Sequence, residues 1–252
     1  MTSLLIADLD GGILTLTLNR PDKRNALSSE LIELLHQSLE QADLDANVRV
    51  VLLRGAGKDF CAGADLEELL ASVDHSPATN ESAALRLGHL FARIRELPKP
   101  VVAMVHGRAL AGGAGLATAC DLVIAGAGAQ LGYPEIQRGF APAMVMAVLR
   151  RLVGEKVALD LVLTGRLLAA DEARNVGLVS RVVRDGDLER EAKSLAQALA
   201  GSSASALALT KQLFFQLDTL SLPEGIALGA KVNALARSTP DFRDAIARFL
   251  GK

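Results

Sequence analysis

The chain has 252 residues, a net charge of −2 at pH 7 and a hydrophobic content of 50%. This length can bury one large core, and the slightly acidic balance argues against general attraction to nucleic acid or to an anionic membrane. No apolar run approaches the roughly 18 residues of a membrane span, and the N-terminus lacks the pattern of a signal peptide. Since only two cysteines are present, Cys61 and Cys120, we expect a cytoplasmic protein with reduced thiols.

The first third of the chain predicts a hairpin, a helix and a buried strand. Residues 4–9 and 13–18 read as two strands joined at Gly11 and Gly12, and the segment 19–25 is a polar turn. Ser28 or Ser29 can cap a helix, and 48–53 is a nearly all-apolar strand of the kind covered on both faces. The apolar positions of the helix share one face: Leu31, Leu34, Leu35, Leu39 and Ala42.

Residues 55–66 predict a further strand, a run of small residues and the start of a helix with Asp65 in its first turn. The polar segment 74–82 predicts a mobile surface loop, followed by an amphipathic helix over 85–97. The prolines Pro98 and Pro100 end that helix and lead into the next strand.

The stretch 101–125 predicts a strand, a glycine turn, a short helix and a second strand. Gly112 and Gly113 lack a Cβ atom, so backbone can approach a ligand there, and the helix that follows presents free N–H groups. The turns at 61–65 and 111–115 could each supply one N–H to a developing oxyanion. Either turn alone is as typical of ordinary packing, whereas the pair favours a functional site.

One carboxylate follows this stretch, and it is a candidate for proton transfer. Pro134 places Glu135 at the start of a short helical turn, and the residues after it are mostly apolar. Desolvation there would raise the pKa of Glu135 toward neutral pH. A solvated glutamate at the start of a surface helix is the alternative, and for an isolated glutamate it is the commoner case.

The last third predicts a helix that ends at Gly154, helices over 158–163 and 171–176, a final strand over 178–183, and helices over 187–200, 204–217, 224–237 and 240–249. Thr239 caps the last helix, with Pro240 at its first position. The helices that follow the final strand have little sheet left to cover, so we expect some of them to pack on a neighbouring subunit. We therefore divide the chain into a core, 1–196, and a helical C-terminal region, 197–252.

Other chemistries have weaker support in the sequence. A dinucleotide fingerprint is incomplete at Thr118, and no phosphate-binding loop or nucleophile elbow is present. The four histidines are scattered, so no metal site is predicted, and His106 is more typical of a structural histidine than of a catalyst.

Three segments together resemble the crotonase superfamily, the enoyl-CoA hydratases and isomerases: 60–66 (FCAGADL), 106–116 (HGRALAGGAGL) with Cys120 and Asp121, and 132–136 (GYPEI). The segments 19–27, 163–166 and 173–180 extend the resemblance over nearly the whole chain. The resemblance implies an α/β fold, a spiral of ββα units with a helical C-terminal part, that assembles as a trimer or a dimer of trimers. It implies an acyl-CoA substrate, no separate cofactor, and no nucleic-acid or membrane partner.

The resemblance also implies residue roles. Ala64 and Gly112 would donate N–H groups to the thioester oxygen, and Glu135 would be the catalytic acid and base. Further residues would line the substrate and CoA: Arg24, Ala26, Ala62, Asp65, Leu66, Gly113, Gly115, Tyr133, Phe249 and Lys252.

One position departs from the family pattern. Gly115 stands where hydratases with two glutamates carry their first acid, so a single carboxylate remains, and the space beside it is expected to hold water or a bulky acyl group. Hydration of a 2-enoyl-CoA is the predicted reaction, with isomerisation of a 3-enoyl-CoA as the alternative. A non-catalytic acyl-CoA-binding or RNA-binding relative is the hypothesis from another class.

Overall fold

The computed structural model of the protein describes residues 3–251, which form nine strands in two sheets. In chain order the strands are β1 (Leu5–Asp10), β2 (Ile13–Leu18), β3 (Val50–Gly55), β4 (Val101–Val105), β5 (Arg108–Leu110), β6 (Leu122–Gly126), β7 (Gln130–Gly132), β8 (Leu167–Ala169) and β9 (Arg181–Val183). The larger sheet has the order β1-β2-β3-β4-β6-β9, and the smaller has the order β5-β7-β8. Only the β1–β2 and β7–β8 pairs are antiparallel, which is typical of an α/β protein.

Eleven α-helices lie within the same residues: α1 (Ser29–Leu44), α2 (Leu66–Ala71), α3 (Pro77–Glu96), α4 (Gly112–Ala119), α5 (Ala143–Leu152), α6 (Glu155–Thr164), α7 (Ala170–Asn175), α8 (Leu188–Ala200), α9 (Ala204–Gln216), α10 (Leu222–Ser238) and α11 (Pro240–Phe249). Local signals set several starts as predicted. The Ser28 side chain accepts the Leu31 N–H at the start of α1, and Thr239 accepts the Phe242 N–H at the start of α11. Asp65 is the N-cap of α2 rather than a residue of its first turn.

The central strands of the larger sheet are buried because helices cover both faces. The β4 residues are all buried, and so are all residues of β3 except Arg54, as predicted for the strand within 48–53. On one face α1 and α3 contribute Leu31, Leu35 and Phe91 to the main core. On the other face Leu188 and Ala192 of α8 pack with Val50 and Val102 in a second, smaller cluster.

Three local predictions are wrong. Residues 77–82 belong to α3 rather than to a loop, because Ser76 caps the helix and Pro77 occupies a first-turn position where no N–H is needed. The expected strand within 55–66 is replaced by isolated bridges from Cys61 to Ala109 and from Ala64 to Leu27. The final strand is shorter than predicted and begins only at Arg181.

Helix α9 packs on the same core through a buried ion pair. Lys211 of α9 donates from Nζ to Asp121 Oδ2 at 2.7 Å and to the carbonyl oxygens of Ile94 and Lys99 at 2.8 and 3.0 Å. Beyond α9, helices α10 and α11 contain no buried residue in the single chain. Several of their large apolar side chains are exposed: Leu222, Ile226, Leu235, Phe242, Ile246 and Phe249.

Both cysteines are free and buried, and burial raises the pKa of Cys61 to about 12, which keeps this thiol protonated. Between residues 3 and 251 no helix combines the length and the apolar character of a membrane span. In the same part of the chain no group of three or more metal-ligating side chains is assembled.

Candidate active site

The two glycine-containing turns predicted from the sequence lie side by side. Cys61 donates its N–H to the Arg108 carbonyl at 3.0 Å and accepts the Leu110 N–H at 2.9 Å. A Cβ atom on Gly113 would lie 2.7 Å from Cys61 Sγ and would collide with the Cys61 carbonyl oxygen. The close approach that needs glycine at position 113 is therefore one of backbone to backbone.

Two N–H groups meet where these turns face each other. A Cβ atom built on Gly112 would lie 3.9 Å from the Ala64 nitrogen, so the two residues are neighbours in space. Across residues 3–251 neither the Ala64 N–H nor the Gly112 N–H has a hydrogen-bond acceptor. Two free donors side by side are the arrangement that stabilises an oxyanion.

Packing does not require glycine at position 112. A Cβ atom there would meet Leu87 and Leu27 at 3.4 and 3.5 Å, which are ordinary contact distances. Gly112 is also not among the glycines that need a positive φ. The small residue thus leaves room next to the Ala64 N–H, where a ligand oxygen could lie.

The space beside Gly115 is filled by the protein itself. A Cβ atom at this position would lie 2.6 Å from Val145 Cγ1 and 2.8 Å from Phe91 Cζ. Phe91 and Val145 are 2% and 3% exposed, so both side chains belong to the core. The expectation of room for water or a bulky acyl group beside Gly115 is wrong for this packing, because apolar side chains take that volume.

Glu135 is buried, and one of its carboxyl oxygens lacks a hydrogen-bond partner. It lies in a short 3-10 turn, Pro134–Arg138, and only 9% of the residue is exposed. Its Oε2 atom is buried without a hydrogen-bond partner. Burial raises the pKa of Glu135, and the nearby Arg138 opposes this shift only in part. A carboxyl group in such surroundings exchanges protons closer to neutral pH than a solvated one.

The smaller sheet brings the segment that leads to Glu135 alongside the segment that leads to the glycine turn. Strands β5 and β7 are parallel, with Leu110 opposite Gly132, and the Ala111 N–H donates to the Gly132 carbonyl at 2.8 Å. The two strands therefore end on the same side of the molecule, where β5 leads into α4 and β7 leads into the turn that carries Glu135. Gln137 fixes the far side of that turn through a 3.0 Å hydrogen bond to the Gly165 carbonyl.

Five of the residues expected to line the substrate and CoA lie on two chain segments, 24–27 and 62–66, which are hydrogen-bonded to each other. The Ala62 N–H donates to the Arg24 carbonyl, the Leu27 N–H to Gly63 and the Asp65 N–H to Leu27, at 2.8 to 3.1 Å. The pairing brings together Arg24, Ala26, Ala62, Asp65 and Leu66. Leu66 is 59% exposed, whereas Ala26 is buried and Asp65 is occupied as a helix cap and in an ion pair.

A surface cavity of about 300 Å³ opens beside Arg24. Its walls carry three cationic side chains and one carboxylate: Arg24, Lys58, Arg108 and Asp59. Asp59 Oδ1 accepts the Arg108 N–H at 2.9 Å, and Asp59 Oδ2 is buried without a hydrogen-bond partner. The net positive lining suits an anionic group.

Sequence reasoning missed two residues that hold this region. Asn25 is fully buried with φ 55°, and its side-chain amide donates to the carbonyls of Ala56, Asp59 and Phe60. Arg20 forms a 2.8 Å ion pair with Asp65, and this hydrogen bond lowers the pKa of Asp65. Asparagine is enriched at positive φ, which is the one signal that could have identified Asn25.

Of the remaining predicted residues, Tyr133 directly precedes the turn that carries Glu135. Tyr133 is 1% exposed, with its hydroxyl 3.4 Å from Thr118 Oγ1, and burial raises its pKa to about 12. Phe249 is 87% exposed at the end of α11. Lys252 lies outside the described residues. His106 Nε2 donates a hydrogen bond to the Gly57 carbonyl at 2.9 Å, as a structural histidine would.

Comparison with known proteins identifies close relatives of this arrangement. Residues 8–252 match the family described as enoyl-CoA hydratase/isomerase. A protein of Thermus thermophilus, provisionally named an enoyl-CoA hydratase, is 45% identical over 96% of each chain. The 1,2-epoxyphenylacetyl-CoA isomerase of Escherichia coli is 34% identical over 100% of this chain and 97% of the relative. A crystal structure of an enoyl-CoA hydratase of Mycobacterium smegmatis superimposes with a TM-score of 0.95 at 33% identity, covering 99% of this chain and 97% of that one.

Proposed function

The chain belongs to the enoyl-CoA hydratase/isomerase family and has the crotonase fold, and we propose that it adds water to the double bond of a 2-enoyl-CoA. The observation that carries this proposal is the buried, unpartnered Oε2 of Glu135, on a segment that is hydrogen-bonded through Gly132 to the turn beside two free N–H groups, those of Ala64 and Gly112. The N–H pair supplies an oxyanion site, and the carboxyl group supplies a proton.

In the proposed reaction the thioester oxygen lies between the Ala64 and Gly112 N–H groups. As the oxygen of water bonds to the β-carbon, electrons move through the double bond to the thioester oxygen and form an enolate. Protonated Glu135 gives its proton to the α-carbon, and the resulting carboxylate takes a proton from the attacking water. The product is a 3-hydroxyacyl-CoA, and Glu135 ends the cycle protonated. A single oxyanion donor of this kind is typically worth about 2.7–4 kcal/mol in the barrier.

The CoA portion would follow the paired segments that contain Arg24 and Ala62. The cationic cavity beside Arg24 supports a place there for the phosphate groups, since its lining carries a net positive charge. Leu66, exposed at the start of α2, offers an apolar contact along the same path.

Isomerisation of a 3-enoyl-CoA to the 2-enoyl ester is the second candidate. The specific observation in its favour is the packing at Gly115, where Phe91 and Val145 take the volume that a second acid would need. One carboxyl group is sufficient to carry a proton between the α- and γ-carbons. The relative named 1,2-epoxyphenylacetyl-CoA isomerase shows that isomerisation of an acyl-CoA occurs among the relatives, although its name gives an epoxide rather than a 3-enoyl substrate.

Turnover in water enriched in oxygen-18 separates the two reactions. A hydratase places the heavy oxygen on the β-carbon of a 2-enoyl-CoA, whereas an isomerase converts a 3-enoyl-CoA without oxygen uptake. Glu135→Gln keeps the size of the side chain and removes the transferable proton, so it should abolish either reaction while acyl-CoA binding persists. Full activity of Glu135→Gln would refute the mechanism, and binding without turnover of any acyl-CoA by the wild type would favour a non-catalytic binding protein.

A further inference from the structure

We propose that Ala111 is a positioning residue, whose unusual backbone and acceptor-free side chain keep the N–H groups at the start of α4 open for the thioester oxygen. This inference rests on the proposed function. Ala111 has φ 51° and ψ −126°, a conformation that residues other than glycine rarely adopt. Such a conformation is strained and persists only where its surroundings fix it.

Hydrogen bonds fix Ala111 on both sides. Its N–H donates to the Gly132 carbonyl at 2.8 Å, and its carbonyl accepts the Gly115 N–H at 3.0 Å. Because the peptide unit is planar and trans, the N–H of Gly112 points opposite to the Ala111 carbonyl. The carbonyl is directed into the helix, so the Gly112 N–H is directed out of it.

The methyl group of Ala111 lies between the two donor turns. A Cβ atom on Gly63 would lie only 2.8 Å from the Ala111 Cβ, and Gly63 directly precedes the second donor, Ala64. An oxygen atom attached to the Ala111 Cβ would therefore lie next to the Gly112 peptide and close to the turn that precedes the Ala64 N–H. It would compete there with a substrate oxygen.

The start of α4 differs from helix starts that are closed by a side chain. Ser28, Asp65 and Ser76 are N-caps whose side-chain oxygens accept N–H groups of the following turn. Ala111 makes no such bond, and within the described chain the Gly112 N–H remains without an acceptor. An N-cap serine or asparagine is usually stabilising, so its absence here leaves the helix start available for a ligand.

The test compares serine and cysteine at the same position. Ala111→Ser adds a hydroxyl acceptor of small size, whereas Ala111→Cys adds a side chain of similar shape with a weak acceptor. We expect kcat of Ala111→Ser to fall at least about tenfold with little change in KM. We expect Ala111→Cys and Ala111→Gly to keep most of the turnover, since neither offers a good acceptor.

A control places the same change at another alanine N-cap. Ala169, the exposed N-cap of α7, has an ordinary φ of −67° and also lacks a side-chain cap bond. Ala169→Ser should leave kcat unchanged and keep or raise the thermal midpoint. A merely structural effect of a new hydroxyl at a helix start would act alike at both alanines.

A spectroscopic readout links the effect to the oxygen. The carbonyl stretch of bound butyryl-CoA, labelled with carbon-13 at the thioester carbon, should move to lower frequency in the wild type and less so in Ala111→Ser. Equal kcat loss in Ala111→Ser and Ala111→Cys, or an unchanged carbonyl shift in Ala111→Ser, would overturn the role of Ala111. If the wild type itself shows no carbonyl shift, the oxyanion site of the proposed function fails instead.

Discussion

Replacing Gly115 with glutamate tests whether packing keeps this site to a single acid. The new side chain would begin 2.6 Å from Val145 Cγ1 and 2.8 Å from Phe91 Cζ, at a position where α4 is wholly buried. Ordinary contacts of this kind are about 3.4–4 Å, so both neighbours would have to move by most of an ångström. The variant therefore tests the core and the chemistry together.

The expected cost follows from three effects. Overpacking a well-filled core costs about 1–3 kcal/mol, and burying a carboxyl group without a partner adds about 1–3 kcal/mol. Replacing a glycine inside a helix returns up to about 1 kcal/mol. We expect the free energy of unfolding of Gly115→Glu to fall by about 2–4 kcal/mol, which for a chain of this length lowers the melting temperature by roughly 5–15 °C.

Denaturant unfolding and hydration of a short 2-enoyl-CoA are the two assays. Gly115→Glu should lose stability without a gain in hydration, and adding Val145→Ala should recover part of the stability because the nearest contact is removed. Gly186→Glu is the matched control, since Gly186 lies in an exposed 3-10 turn outside α10 and α11 with no atom near its missing Cβ, and this change should be close to neutral. Equal stability of Gly115→Glu and Gly186→Glu would refute the packing argument.

Three further predictions concern charge and assembly. Burial raises the pKa of Glu135 above its ordinary 4.5, so the native state holds more protons than the unfolded chain between the two values, and stability falls as pH rises through that window. At pH values above this window, the denaturant midpoint of Glu135→Gln should therefore be higher than that of the wild type. Below pH 4.5 the two midpoints should be equal. A lower midpoint for Glu135→Gln at neutral pH would contradict this. Lys211→Met should cost about 3–5 kcal/mol because Asp121 is left charged and buried, and adding Asp121→Asn should recover part of it in a double-mutant cycle. The outward apolar residues of α10 and α11, among them Ile226, Phe242 and Phe249, predict a trimer or a dimer of trimers, and a monomer by light scattering at micromolar concentration would exclude it.

The sequence by itself determined the elements that rest on local physics. The hairpin at Gly11 and Gly12, the cap at Ser28 and the last helix after Thr239 and Pro240 form as predicted, because turn and cap chemistry acts within a few residues. The motifs that resemble the crotonase superfamily also identified the family, since they combine three distant segments that few other folds share. The prediction of a loop over 74–82 was wrong because composition alone cannot separate a polar loop from the polar first turns of a helix.

Tertiary structure alone decided how residues far apart in the chain share space. Asn25 is fully buried because the carbonyls of Ala56, Asp59 and Phe60 converge on its amide, and no local pattern encodes that meeting. The volume beside Gly115 is filled by Phe91 of α3 and Val145 of α5. The sequence predicted free space beside this glycine, whereas the folded structure has close packing there. Contact between distant segments depends on how helices and sheets pack, and that packing is a property of the whole core rather than of any window of the sequence.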